Sequence, residues 1–98
     1  MDFISKFKTE SGWEIVITEK TLGKNKVVKI HGFAKRITEP DKFSNMYAFV
    51  WEMGKLHWTY PDSIPTDVKT ITRSMCLEQL KKAGRETKRS YKKYSAGR

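Results

Sequence analysis

A single change in the period of the hydrophobic residues, between Tyr60 and Asp67, constrains the fold of this chain most strongly. Before this point apolar and polar residues alternate, as in the run of Leu56, Trp58 and Tyr60. Alternation predicts strands with one buried face, because successive side chains of a strand point to opposite faces of its sheet. After this point apolar residues recur every three or four positions, which predicts an amphipathic helix. The expected fold class is therefore α+β, with the sheet first and the helix last.

The first predicted hairpin occupies residues 13–35. Residues 13–18 are rich in β-branched side chains and place Trp13, Ile15 and Ile17 on one face of a strand. Residues 27–35 form the next strand, in which Gly32 indicates a bulge or a bend. Residues 21–26 include Gly23 and a following Asn, which tolerate the left-handed backbone of turns. We therefore expect a hairpin with a fairly long loop.

A second predicted hairpin follows residues 39–41, which interrupt the strand pattern. Its strands are residues 46–52 and 56–60, and Met53-Gly54 forms a tight connection between them. We expect the two antiparallel hairpins to form one small sheet of about four strands.

The predicted helix follows a segment rich in turn and capping residues, 60–67. Either Pro65 occupies the first helical position or Thr66 caps a helix that starts at Asp67. We expect roughly four helical turns, with Gly84 as the stop. The apolar positions of this helix are Val68, Ile71, Met75, Cys76, Leu80 and Ala83.

The predicted core combines one face of each strand with the apolar side of the helix. Near the N-terminus, Phe3, Ile4 and Phe7 form a separate apolar patch that suits a short helix docked on this core or on a partner. The expected core residues are Trp13, Ile15, Ile17, Val28, Ile30, Phe49, Trp51, Leu56, Trp58, Val68, Ile71, Met75 and Leu80.

Charge is distributed unevenly along the 98 residues. The chain has 20 Lys and Arg against 11 Asp and Glu, a formal net charge of +9. Residues 1–63 contain ten basic and eight acidic residues, whereas residues 64–98 contain ten basic and three acidic residues. Residues 85–98 include no Leu, Ile, Val or Phe and cannot bury a face of their own. We therefore predict one domain over residues 1–84, followed by a basic tail or helical extension over 85–98.

A strongly basic C-terminal segment favours polyanionic partners. Phosphate neutralisation requires only reachable cations, and interleaved tyrosines can stack on bases or sugars. We therefore predict a small non-enzymatic nucleic-acid-binding protein that engages nucleic acid or an acidic protein surface. The predicted contact residues are Lys81, Lys82, Arg85, Lys88, Arg89, Tyr91, Lys92, Lys93 and Tyr94.

The alternative prediction is a protein-docking modulator. A compact basic chain without a catalytic signature also suits a bacteriophage-type inhibitor of a host nuclease, a helicase or other DNA-processing machinery. Such a partner requires an apolar anchor, and Phe3, Phe7 and Phe43 fall outside the main strand pattern.

Other site types find less support in the sequence. Residues 47–50 match four positions of the strand signature of RNA recognition motifs, but the flanking positions do not, so the match is read as chance. A helix-turn-helix with its turn at Gly84 lacks apolar positions in its second helix. His31, His57 and Cys76 lack the spacing of a zinc site, and no catalytic motif is present. We expect no enzyme activity, no cofactor and no small-molecule substrate.

The cellular setting is predicted from absences in the sequence. No apolar run approaches the roughly 18 residues that span a bilayer, and the start of the chain lacks the apolar region of a secretory signal. The lone Cys76 excludes an internal disulfide. We therefore expect a cytoplasmic protein that does not bind membranes.

Overall fold

A five-stranded antiparallel sheet and one long helix make up the computed structural model, which describes residues 3–24 and 26–96. Side chains are described as far as Lys82, apart from that of Lys26. The strands follow the chain order across the sheet. They are β1 (Ser5–Lys8), β2 (Trp13–Gly23), β3 (Lys26–Arg36), β4 (Tyr47–Glu52) and β5 (Lys55–Trp58), followed by helix α1 (Thr66–Ala96). Short 3-10 helices at Phe43–Asn45 and Pro61–Ser63 precede β4 and α1.

The α+β class is confirmed, but the expected strand number of four is wrong because β1 adds a fifth strand. β1 pairs with β2 along its whole length, from Ser5 opposite Ile17 to Lys8 opposite Glu14. The expected short helix is therefore absent here: Phe7 lies in the edge strand β1, and Phe3 and Ile4 directly precede it. The sequence signal is weak because β1 has four residues and only Phe7 among them is a large apolar residue.

The first hairpin has long strands and a short connection, so the expected long loop is wrong. β2 and β3 contain 11 residues each, and β2 ends at Gly23, three positions before β3 begins at Lys26. A register shift between Thr21 and Leu22 leaves Val28 as an extra residue on β3. This bulge turns Val27 into the core, where it is 8% exposed, and leaves Val28 39% exposed. The prediction of Val28 as a core residue is therefore wrong.

The bulge expected at Gly32 lies instead on the neighbouring strand. Gly32 pairs with Ile17 and with Phe49, while Thr18 is the extra residue on β2. Gly32 is needed for space: a Cβ atom there would lie 2.5 Å from the ring of Phe49 and would collide with the carbonyl oxygen of Val16.

The second hairpin is confirmed, with its turn at Met53 and Gly54. Both residues have positive φ angles, 53° and 76°. Two consecutive left-handed residues are the geometry of a type I′ turn, whose twist matches that of the flanking strands.

Helix α1 covers one face of the sheet and completes the core. Its first described backbone bond runs from the Lys69 N–H to the Pro65 carbonyl, so Pro65 precedes the helix. The helix continues past Gly84 to Ala96, so the predicted stop at Gly84 is wrong. Apart from Val28, every predicted core residue lies in the core or packs against it. The core also contains Val27, Ala34, Ile64 and Cys76, of which only Cys76 was predicted to lie on an apolar face.

Side-chain hydrogen bonds join the β1–β2 turn to the start of α1. The Ser11 hydroxyl donates to the Asp67 carboxylate at 2.5 Å, and the Trp13 N–H donates to the Thr9 hydroxyl at 3.1 Å. Asp67 also lies in the first turn of α1, where a negative charge interacts favourably with the helix dipole. The β1–β2 turn therefore fixes the start of α1 relative to the sheet. None of the helices in the described part of the chain has the length and apolar content needed to span a membrane.

Candidate nucleic-acid interface

The described part of α1 separates a buried side from a cationic end. Val68, Thr72, Cys76 and Gln79 are buried against the sheet at spacings of three and four residues. Lys81 and Lys82 follow directly and are exposed. Because the core contacts occupy the apolar side of the helix, these two ammonium groups are free to meet an anionic partner.

The other predicted contacts lie beyond the described side chains. Their backbone belongs to α1, but their side chains are outside the described residues, so their role remains a prediction. This group comprises Arg85, Lys88, Arg89, Tyr91, Lys92, Lys93 and Tyr94.

Lys81 and Lys82 lie at the end of the sheet that contains the β2–β3 and β4–β5 turns. The Lys20 ammonium donates to the Gln79 side-chain oxygen at 3.4 Å. Leu80 lines a shallow groove of about 280 Å³ together with Val27 of β3 and Gly54 of the second turn. Further lysines, Lys24 and Lys55, are exposed at the same end. The described residues thus bring cations from three elements to one end of the molecule.

The three phenylalanines predicted as docking anchors are all exposed, but they do not form one patch. Phe43 is 92% exposed in the 3-10 helix before β4. Phe7 is 48% exposed and lines a groove with Ile71 and Met75 of α1. Phe3 is 51% exposed and lines a different hollow, with Phe33 on the opposite face of the sheet. A partner that used Phe3 and Phe7 together would therefore have to reach around the edge of β1.

The sheet face that points away from α1, here called the open face, was missed as a candidate site in the sequence analysis. Strand pairing aligns His31, Val50 and His57 in one row across β3, β4 and β5. The next row contains Phe33 and Ala48. A shallow cavity of about 360 Å³ lies over these strands, and its lining includes His31, Ala48, Val50, His57 and Thr59. The alternation of each strand was visible in the sequence, but the register that aligns the two histidines was not.

One end of the open face is covered by the loop that joins β3 to β4. The Lys35 ammonium pairs with the Asp41 carboxylate at 3.1 Å and donates to the Arg36 carbonyl at 3.0 Å. These contacts leave Lys35 only 5% exposed and Val16 3% exposed. The cavity between His31 and His57 lies outside this covered region.

The described residues do not form an RNA recognition motif surface, a helix-turn-helix or a metal site. Phe49 is 3% exposed on the α1 side of the sheet, and Tyr47 packs against Trp13 at a ring-centroid distance of 5.7 Å, so neither suits base stacking. The backbone of α1 runs through Gly84 without the turn that a helix-turn-helix requires. The described residues contain no group of three His, Cys, Asp or Glu side chains that could hold a metal ion. Burial raises the pKa of the Cys76 thiol to about 12, so this thiol is unreactive at neutral pH.

Comparison with protein-family models, with curated proteins and with solved structures finds no match to this chain. The assignment of function therefore depends on the geometry and charge described above.

Proposed function

We propose that this protein is a small, non-enzymatic nucleic-acid-binding protein whose helix α1 contacts phosphates through its cationic C-terminal part. The observation that carries this proposal is the exposure of Lys81 and Lys82 immediately after the last residues of α1 that pack on the core. In this proposal residues 85–98 extend the cationic surface and contribute nothing to the core.

Charge and helix geometry support this proposal. Helix α1 contains nine basic and three acidic residues, so this one element has a net charge of +6. A helix rises about 1.5 Å per residue, so the 31 residues of α1 span about 46 Å. Cations along such a helix can neutralise phosphates, and each contact releases condensed counterions.

The test replaces Lys81 and Lys82 by Gln in the full chain and measures binding to duplex DNA at several salt concentrations. Loss of two phosphate contacts should make the slope of log K against log salt less steep by about 1.8. The matched control is Lys8→Gln with Lys42→Gln, which removes the same charge from exposed positions near the opposite end of the sheet. Equal slopes for the two double variants would contradict a specific role for α1.

A truncation after Gly84 tests the rest of the cationic surface. We expect the shortened chain to keep its fold, because residues 85–98 contain no aliphatic core residue, and to lose most of its affinity for duplex DNA. Circular dichroism checks the fold, and a mobility shift measures binding. A truncated chain that unfolds, or that binds as tightly as the full chain, would contradict the assignment.

The second candidate function is docking on another protein, in the manner of a bacteriophage-type inhibitor of a nuclease, a helicase or similar machinery. It is favoured by Phe43, a large apolar side chain that is 92% exposed in the segment before β4. Once such an aromatic side chain is buried against a partner, it contributes affinity that salt does not screen. The salt dependence of binding therefore separates the two functions. Both are proposed for a cytoplasmic setting.

A further inference from the structure

We infer that the open face over β3, β4 and β5 stacks the bases of a single-stranded nucleic acid. This inference rests on the proposed nucleic-acid binding and specifies the form of nucleic acid bound. The ring-bearing residues concerned are His31 and Phe33 on β3 and His57 on β5.

The spacing of these three rings suits successive bases. Neighbouring strands lie about 4.8 Å apart, so His31 and His57 are separated by about 10 Å across Val50. His31 and Phe33 are two residues apart on one strand, a distance of about 7 Å. Sheet faces that bind single strands use aromatic side chains to stack two or three bases. Here the rings lie on β3 and β5, and the short side chains of β4 lie between them. Histidine and phenylalanine rings both serve in such stacking.

Accessibility also favours this region. His57 and Ala48 are exposed, and His31 and Phe33 are half-buried. His31 and His57 line the cavity itself, whereas Phe33 lines the adjoining hollow beside the β3–β4 loop. Ala48 and Val50 are short side chains in the floor of the cavity of about 360 Å³, which leaves room for flat ligands above them. Helix α1, the only long helix in the described ranges, packs on the other face.

Charged side chains lie on the open face around the cavity rather than in its lining. The face contains five lysines and three glutamates (Lys6, Lys8, Lys29, Lys35, Lys55, Glu14, Glu19 and Glu52), and Asp41 of the β3–β4 loop adds a fourth carboxylate that pairs with the buried Lys35. Glu52 pairs with Lys29 at 3.3 Å, and Glu14 lies in register between Lys8 and Lys35. The row of Phe33 and Ala48 contains no acidic residue and ends at Lys6. Because Asp41 pairs with Lys35 and Glu52 with Lys29, the lysines available to the phosphates of a bound strand are Lys6, Lys8 and Lys55. Glu19 lies in register beside His31, so the phosphates would follow the Phe33 row rather than the β2 end of the His31 row.

A duplex does not fit this face in the same way. Its bases are stacked within the double helix and expose only their edges, whereas an unpaired strand can place base planes on protein rings. The cations of α1 would hold the phosphates of either form, and the open face would distinguish between them.

The experiment uses the two histidines, which are the only ones in the chain, as resonances to follow by NMR at constant pH. The probes are a ten-nucleotide oligo-dT, a ten-nucleotide oligo-U, a DNA duplex and polyglutamate. We expect both single strands to shift the imidazole proton resonances of His31 and His57, because the ring current of a stacked base acts at short range. We expect the duplex and polyglutamate to leave them unshifted. A shift with oligo-U alone would support the inference and assign the single strand as RNA.

Variants provide an independent measurement on the full chain. Phe33→Leu keeps an apolar side chain beside Val16 but removes the ring, and Phe43→Leu is the matched control at an exposed position off the open face. We expect Phe33→Leu and His57→Ala each to weaken oligo-dT binding about five-fold or more, with unchanged binding to the duplex. Phe43→Leu should change neither. Thermal unfolding checks that each variant is folded.

The outcomes separate this inference from the proposed function. Tight binding of oligo-dT with unshifted histidines and no effect of Phe33→Leu or His57→Ala would overturn the open-face site, and phosphate contacts by α1 would stand. Failure to bind any nucleic acid would overturn both. Histidine shifts of equal size with polyglutamate would also overturn base stacking and would indicate an acidic protein partner.

Discussion

Trp58 combines a large packing contact with an unpaired donor. Its ring lies 5.0 Å from that of Phe49, and its buried indole N–H has no hydrogen-bond partner among the described residues. We expect Trp58→Ala to lower the free energy of unfolding by about 3 kcal/mol, since it removes most of this contact. Trp58→Phe should cost less than about 1 kcal/mol, because it keeps a ring against Phe49 and removes the unpaired donor. Urea denaturation, monitored by circular dichroism, measures both free energies of unfolding. Equal losses in the two variants would show that the ring contact with Phe49 does not supply the stability.

Cys76 links stability to alkaline pH. The side chain is fully buried, and burial raises the pKa of its thiol from 9.0 to about 12. Between these values the unfolded chain releases the proton while the folded chain keeps it, so stability present below pH 9 is lost progressively up to about pH 12. Between pH 8 and pH 10 the wild-type chain should lose about 1.4 kcal/mol more than Cys76→Ala. Parallel losses in the two proteins, measured by denaturation at each pH, would show that the thiol does not titrate in this way.

The β4–β5 turn offers a stabilising substitution. Met53 has a φ of 53° and is 89% exposed, so its side chain contributes little packing while its backbone is strained. Asn followed by Gly is the preferred pair for this turn type. We expect Met53→Asn to raise the free energy of unfolding by about 1 kcal/mol. Leu22→Asn is the control, since Leu22 is an exposed apolar residue in a strand and should gain nothing. A gain shared by both variants would point to reduced surface hydrophobicity rather than to the turn.

The predictability of each element followed the strength of its local pattern. The second hairpin was predictable because Met53-Gly54 marks its turn and both strands alternate clearly. β1 was not, because a four-residue edge strand pairs on one side only and offers a short pattern. Val27 rather than Val28 is buried because a bulge reverses which side chains face the core, and the residue types around it do not indicate a bulge. The His31–His57 row depends on the pairing of β3 with β4, a contact between distant segments that local periodicity does not reveal.

The charge of the whole molecule determines how binding should respond to salt. With about six cations engaged on duplex DNA, log K should fall against log salt with a slope of about −5. We expect Phe43→Ala to change this affinity little, since an exposed ring outside the phosphate contacts has no role in duplex binding. A flat slope together with a large loss on Phe43→Ala would reverse the ranking of the two functions. In that case the net charge of +9 would accelerate encounter without supplying the affinity.

Because α1 covers only one face of the sheet, the tryptophans of the protein all belong to the same side of it. All three tryptophans, Trp13, Trp51 and Trp58, belong to the core on the α1 side or pack against it. Their fluorescence therefore reports on the contact between sheet and helix, and Arg73 of α1 lies 5.7 Å from the ring of Trp51. Because Trp58 also lines the cavity on the open face, a ligand there should alter the emission of this one tryptophan, whereas a ligand that displaces α1 should shift the emission of all three to the red. Intrinsic emission thus distinguishes binding on the open face from binding that remodels the core.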